Sequence, residues 1–239
     1  MRRFVILTTP RTGSTHLAAL LDSHPSIRCY PALFAKVVDA RRWVSGIGDE
    51  YAAPESRLRD PLRFLDTVEA LTKDVEALGW KLMISQDWRY ELLSRLVAER
   101  RYRVIFLYRE NLLAKFSSQM LAEKTGQGWA EQGHRIVRET LHFEPEEFSG
   151  YIEKVTRQYD RARKAIDRLG CPFLEVEYRD LADDRTHERL TDFLGFPYCE
   201  LTSPNLKRNK SRVTERFDNP DEVSRFLETH ELLMWAEER

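Results

Sequence analysis

The sequence predicts an α/β protein of three layers, α/β/α, with a central parallel sheet, and three observations carry that prediction. Short apolar runs alternate with longer amphipathic stretches, the pattern of parallel strands joined by covering helices. A length of 239 residues suits one α/β domain with a substantial core and is too short for two comfortable ones, so residues 1–239 are expected to form a single domain. Apolar residues make up 42% and charged residues 32%, an ordinary globular balance that calls for neither disorder nor a coiled coil.

In chain order, the first strand is expected at Phe4 to Thr8. A helix from Ser14 to Ser23 follows, with Leu17, Leu20 and Leu21 on one face. A second strand is read at Ile27 to Tyr30, a third at Lys81 to Ser85 and a fourth at Arg103 to Tyr108. Between the last two, Asp87 to Arg101 sets Leu92, Leu93, Leu96 and Val97 on one helical face. The fourth strand runs straight into another helical stretch, LLAKFSSQM. Pro145 to Leu169 reads as a long exposed helix, Pro172 to Glu177 as a strand, and His187 to Leu194 as a helix stopped by Gly195 and Pro197. Residues 44–62, rich in Gly, Pro and mixed charge, and residues 198–212 are expected to be irregular. Long loops of this kind often cover binding sites.

Composition excludes several function classes. With 38 basic and 39 acidic residues the net charge is −1, so nothing global favours nucleic acid or an anionic membrane surface. Cys29, Cys171 and Cys199 show neither CxxC nor Cys/His spacing, which points to thiols in a reducing compartment and away from a disulfide framework or zinc. Thr8 and Arg11 cut the apolar opening below the length of a secretory signal. No apolar run approaches a membrane span, and a soluble cytoplasmic protein is expected.

Two strand-to-helix junctions and one basic cluster carry chemistry. TTPRTGST, residues 8–15, lies between an apolar strand and an amphipathic helix, where the first helical N–H groups have no intrahelical acceptor and sit at the positive end of the dipole. It is not a Walker A loop, which needs a second Gly followed by Lys and Ser/Thr. Pro10 fixes the exit from the strand, Gly13 permits positive φ or close ligand approach, Ser14 and Thr15 offer caps or anion donors, and Arg11 adds a donor fork. A plain strand-to-helix turn with a hydroxyl cap fits equally well. In LYRENLLAKFSSQ, Arg109 and Ser117 are eight residues apart, about 12 Å if helical throughout, a gap an extended Arg could largely close. Two such strand ends in one parallel sheet favour a ligand crevice. NLKRNKSR gathers Lys207, Arg208, Lys210 and Arg212, either a solvated face or a loop that folds over an anion.

Together these segments resemble the sulfotransferases that use 3′-phosphoadenosine-5′-phosphosulfate (PAPS). TTPRTGSTHLAALLDSHP is similar to their 5′-phosphosulfate loop and LYRENLLAKFSSQ to their 3′-phosphate motif, while FLEVEYRDLADDRTHERLTDFLGFP matches a further family stretch. The likeness is to the bacterial, carbohydrate-modifying branch that includes nodulation-factor sulfotransferases, with residues 35–80 and 121–171 poorly matched. It implies a P-loop-like sulfotransferase fold and transfer of the sulfuryl group of PAPS to a hydroxyl or amine of a glycan or small metabolite, leaving adenosine 3′,5′-diphosphate (PAP). Arg11 then stands in for the usual Lys at the sulfuryl group, with Thr12, Gly13, Ser14 and Thr15 around the 5′-phosphate and sulfate. His16 replaces the Trp that many members place beside the adenine, and Tyr178 matches a Tyr at the adenine edge. Arg109 and Ser117 hold the 3′-phosphate, joined by Lys207 and Arg208, although Asn209 stands where a Gly often follows.

The carboxylate many bacterial members use as acceptor-side base is missing, its position being Ala32 in YPALF. Lys81 and Asp87, which frame KLMISQD, are the substitutes, Asp87 being equally suited to cap the next helix, and His24 reads as a helix-end residue. Trp43, Trp80, Trp88 and Trp129 offer stacking faces for sugars or fill the core. No metal is expected, since no acidic cluster stands out. A homodimer is left open. A metal-dependent phosphotransferase and a non-catalytic PAP or PAPS binder remain as alternatives.

Overall fold

The computed structural model describes residues 1–35, 39–84, 88–127, 139–205 and 209–238. Strand β1 (Arg2–Thr8) is followed by α1 (Ser14–Asp22) and β2 (Ile27–Tyr30). Helices α2 (Pro54–Arg59) and α3 (Pro61–Leu71) then precede β3 (Ala77–Met83) and α4 (Trp88–Arg100). Next come β4 (Arg103–Tyr108), α5 (Leu112–Thr125) and the 25-residue α6 (Pro145–Leu169). The chain continues through β5 (Phe173–Glu177), α7 (Asp184–Leu194) and α8 (Pro220–Thr229). The five strands form one sheet in the order β2-β3-β1-β4-β5, and every pairing is parallel.

Alternation along β1 creates the layers. Val5 and Leu7 enter one core with Trp80, Leu82, Val104 and Phe106, covered by α3 through α6 and α8. Phe4 and Ile6 enter the other with Ile105, Leu107 and Val176, covered by α1 and α7. Successive side chains of a strand point to opposite faces, so the unbroken apolar run Phe4 to Leu7 must be covered on both sides. The expected three-layer α/β/α fold is therefore the observed one. From β1 the chain moves to one edge of the sheet and from β4 to the other. The carboxyl ends of these two neighbours thus flank the crevice where ligands of open α/β sheets bind.

Several expectations need correction. Residues 44–62 are not one irregular excursion: they hold α2 and the start of α3. Pro54 and Pro61 open these helices at the first helical position, where no N–H is needed. β3 begins four residues before Lys81 and ends at Met83 rather than Ser85, which lies outside the described residues. Gly79 is inside the strand, where the Phe4 ring of β1 packs over it; a Cβ there would meet that ring at 2.0 Å. Trp80 is fully buried and Trp43 packs half-buried against the same core, so neither presents an open stacking face; Trp129 and the Trp88 side chain lie outside what is described. His24 is buried against Phe196 at 5.1 Å between ring centroids, as a helix-end residue. Among the described residues no helix is long and apolar enough to cross a membrane.

Candidate active site

The loop between β1 and α1 is held in an unusual backbone shape. Arg11 (φ 65) and Gly13 (φ 76) both adopt left-handed conformations, which cost a residue with a Cβ and cost Gly little. Gly13 has a second constraint, since a Cβ on it would lie 2.6 Å from the Tyr178 ring. It is also the N-cap of α1, and no side chain accepts from the first turn. The expected capping by Ser14 or Thr15 is therefore corrected. A left-handed Gly turns the chain into the helix without a capping hydroxyl, leaving the first-turn N–H groups to an acceptor from outside. Thr12 is completely buried, and its hydroxyl is bound to Thr8 Oγ1 at 2.6 Å and the Thr9 carbonyl at 3.0 Å. Thr8 in turn donates to the Leu107 carbonyl at 2.8 Å, fastening the loop to β4.

Among the described residues, three cations besides Arg109 lie around this loop. Arg11 donates through Nε and Nη2 to Ser118 Oγ on α5, at 3.0 and 2.9 Å. Lys81 Nζ donates to Thr15 Oγ1 at 3.2 Å, so β3 and the start of α1 meet here. Burial pushes its pKa down to about 8, the Cys29 thiol opposing and the Arg11 charge reinforcing the shift. The third cation, Lys115, escaped the sequence reading. It is almost fully buried and donates to the Tyr151 hydroxyl at 2.9 Å; burial, then the charges of Arg109, Arg11 and Lys154, lower its pKa to about 7. Its helical spacing of three from Ser118 was the available signal.

On the β4 side, Arg109 is buried at 4% exposure. Its guanidinium grips both carboxylate oxygens of Glu238, with Nε at 2.6 Å from Oε1 and Nη2 bonded to Oε2. Nη1 donates to the Arg11 carbonyl at 2.9 Å, tying the two loops together. The guanidinium carbon lies 4.3 Å over the Tyr178 ring, so one aromatic ring touches both Arg109 and Gly13. Ser117 is reached through Arg216, equally buried at 3% exposure, whose Nη1 donates to Ser117 Oγ at 2.9 Å. Arg216 Nη2 lies 3.6 Å from Glu238 Oε2. Burial lowers the Arg216 pKa to about 10, with Glu238 working against the shift. Neither Arg216 nor Glu238 belongs to a recognisable motif, and no local signal marks them.

The late loop does reach the site. His16 Nδ1 is 2.9 Å from Ser203 Oγ, and Asn205 Nδ2 donates to the Thr15 carbonyl at 3.5 Å. Burial, then the nearby His187, lowers the His16 pKa. Asp87, Lys207 and Arg208 lie outside the described residues. Among the described residues no group of three or more His, Cys, Asp or Glu side chains is placed to hold a metal.

No family model matches the chain. It is 27% identical over 222 residues to Nodulation protein H of Rhizobium tropici, covering 89% of this chain and 84% of that protein. Among solved structures it superposes on a sulfotransferase from Alicyclobacillus acidocaldarius with a TM-score of 0.54 and 18% identity, over 98% of each chain. Likeness at that identity speaks for the fold. The chain is therefore similar to Nodulation protein H and has the fold of that sulfotransferase, in line with the resemblance read from its sequence.

Proposed function

We propose that this protein is a sulfotransferase that moves the sulfuryl group of PAPS to a hydroxyl or amine of a glycan or small metabolite, as a single domain in the cytoplasm. One observation carries the reading: two anion-binding arrangements stand side by side at the carboxyl ends of β1 and β4. The first is the uncapped start of α1 with Arg11 and Lys81; the second is the buried pair Arg109 and Arg216 with Ser117. A nucleotide bearing a 5′-phosphosulfate and a 3′-phosphate needs such a pair of sites, and an ordinary nucleoside triphosphate does not. When bound, PAPS supplies the activated sulfuryl group.

The chain's own residues would then divide the work. Gly13, Ser14 and Thr15 hold the 5′-side oxygens on the N–H groups and hydroxyls of the first helical turn. Arg11 stabilises charge that grows on the sulfuryl oxygens and the leaving bridge oxygen during transfer. Tyr178, held in place by Gly13 and Arg109, forms the wall for the adenine, with His16 nearby. Ala32 accepts no proton, so Lys81 is the described residue suited to remove the acceptor proton, its pKa of about 8 lying in the range of amines tuned for general-base work.

Two measurements test this. PAP without magnesium should raise the melting temperature, and ATP with magnesium should not; the reverse pattern supports a phosphotransferase, and a PAP shift without turnover on any sugar acceptor supports a binder. The kcat/KM of wild type should rise as pH passes about 8, because only the neutral amine takes a proton and this ratio reports the free enzyme. Bound sulfate charge favours the protonated amine, so the matching limb in kcat should lie at higher pH. Lys81→Met should remove the limb; an unchanged profile takes the base role away from Lys81.

A further inference from the structure

The carboxylate of Glu238 sits where the proposed function requires a phosphate. It lies between two arginines, Arg109 and Arg216, each more than nine-tenths buried, the second of which also holds the Ser117 hydroxyl. Two guanidinium groups thus converge on one carboxylate. The monoanion fills the fork of Arg109, while Arg216, with Nη2 3.6 Å from Glu238 Oε2, also donates to the Lys210 and Ala114 carbonyls and to Ser117. A phosphate monoester dianion offers three oxygens and twice the charge, a closer match to two forks. Both anions cannot occupy the site together.

We propose that Glu238 is a built-in competitor of the 3′-phosphate, and that binding of a 3′-phosphorylated nucleotide displaces it and opens the segment that carries it. This inference rests on Arg109 and Ser117 forming the 3′-phosphate site. The segment is suited to release. It is pinned by the bonds Val213 N to the Ala236 carbonyl and Glu238 N to the Ser211 carbonyl, both 2.8 Å, and by Asn111 Nδ2 donating to the carbonyls of Trp235 and Glu237 at 3.1 Å. An isolated antiparallel bridge, Arg212 to Glu237, is its ladder to the rest of the fold. Beside it opens a cleft of about 350 Å³ bordered by Glu110, Trp235, Glu237 and Glu238, room into which the displaced side chain can turn. Leu233 and Met234 are 58% and 73% exposed, whereas Trp235 and Ala236 pack against the core, Trp235 edge-on to Phe148, so the movement turns about these two residues. Closed, the segment spares the buried arginines from standing without a counter-charge when nucleotide is absent. The same contact lowers apparent affinity, because the site is competent only in the fraction of molecules whose carboxylate has left.

The test compares PAP with adenosine 5′-phosphate, which lacks the 3′-phosphate, by calorimetric titration of wild type and Glu238→Gln. PAP affinity is expected to rise about tenfold or more in the variant, with adenosine 5′-phosphate affinity unchanged. Equal or weaker PAP binding by Glu238→Gln, with wild type binding PAP normally, overturns the competitor role and leaves the proposed function standing. Failure of both proteins to bind PAP overturns the proposed function itself. Should the variant not fold, hydrogen exchange of wild type decides: PAP, and not adenosine 5′-phosphate, should speed exchange at the Glu238 and Val213 amides. Slower or unchanged exchange at both amides refutes the displacement.

Discussion

Arg109→Ala should erase most of the preference for PAPS over adenosine 5′-phosphosulfate and destabilise the protein as well. The preference arises because a 3′-phosphate takes over the Arg109 fork that Glu238 otherwise holds, while a ligand without that phosphate leaves Glu238 in place, so Arg109 supplies the surplus of a dianion over a carboxylate, roughly tenfold or more. The destabilisation arises from the bidentate pair with Glu238, whose side chains are 5% and 4% exposed. Removing one partner of such a pair leaves the other charge buried and costs about 3–5 kcal/mol. Arg109→Lys should recover part of the stability and little of the discrimination, because an ammonium keeps the charge and lacks the fork. Both quantities come from a urea titration of each variant and from kcat/KM with the two donors. Equal donor preference in wild type and Arg109→Ala would remove Arg109 from the nucleotide site.

Arg11→Met should lower kcat by about 100-fold or more while changing PAP affinity far less, the pattern left by removing one donor that acts on transition-state charge. The substitution isolates the charge. Arg and Met both carry a Cβ, so the left-handed backbone at this position (φ 65) is equally demanding for each, and the loop stays fastened by Thr8, Thr12 and Leu107. The guanidinium is steadied from α5 by Ser118 at 2.9 and 3.0 Å, so Ser118→Ala should show a smaller loss in the same direction. Single-turnover rates and PAP titrations separate the two quantities. A variant with full kcat and poor PAP binding would make Arg11 a ground-state contact.

Features set by neighbours along the chain could be read before folding was considered. The bounds of β2 (Ile27–Tyr30), β4 (Arg103–Tyr108) and α6 (Pro145–Leu169) follow from local periodicity and punctuation. The TTPRTGST loop was legible because strand end, Gly and helix start are consecutive. Arg109 and Ser117 were legible as the residue after a strand end and a position on the helix that follows. The tertiary structure decided whatever depends on a partner far along the chain. Gly79 lies in a strand where Phe4 of β1 covers it, and Gly13 is needed as much for the Tyr178 ring as for its own φ. Lys115 becomes a weakened base only when the fold buries it and brings the charges of Arg109, Arg11 and Lys154 near. Arg216 and Glu238 meet Arg109 across 107 and 129 positions of sequence. Charge in a chain is visible residue by residue, but burial and pairing, which decide what a charge does, are properties of the packed fold.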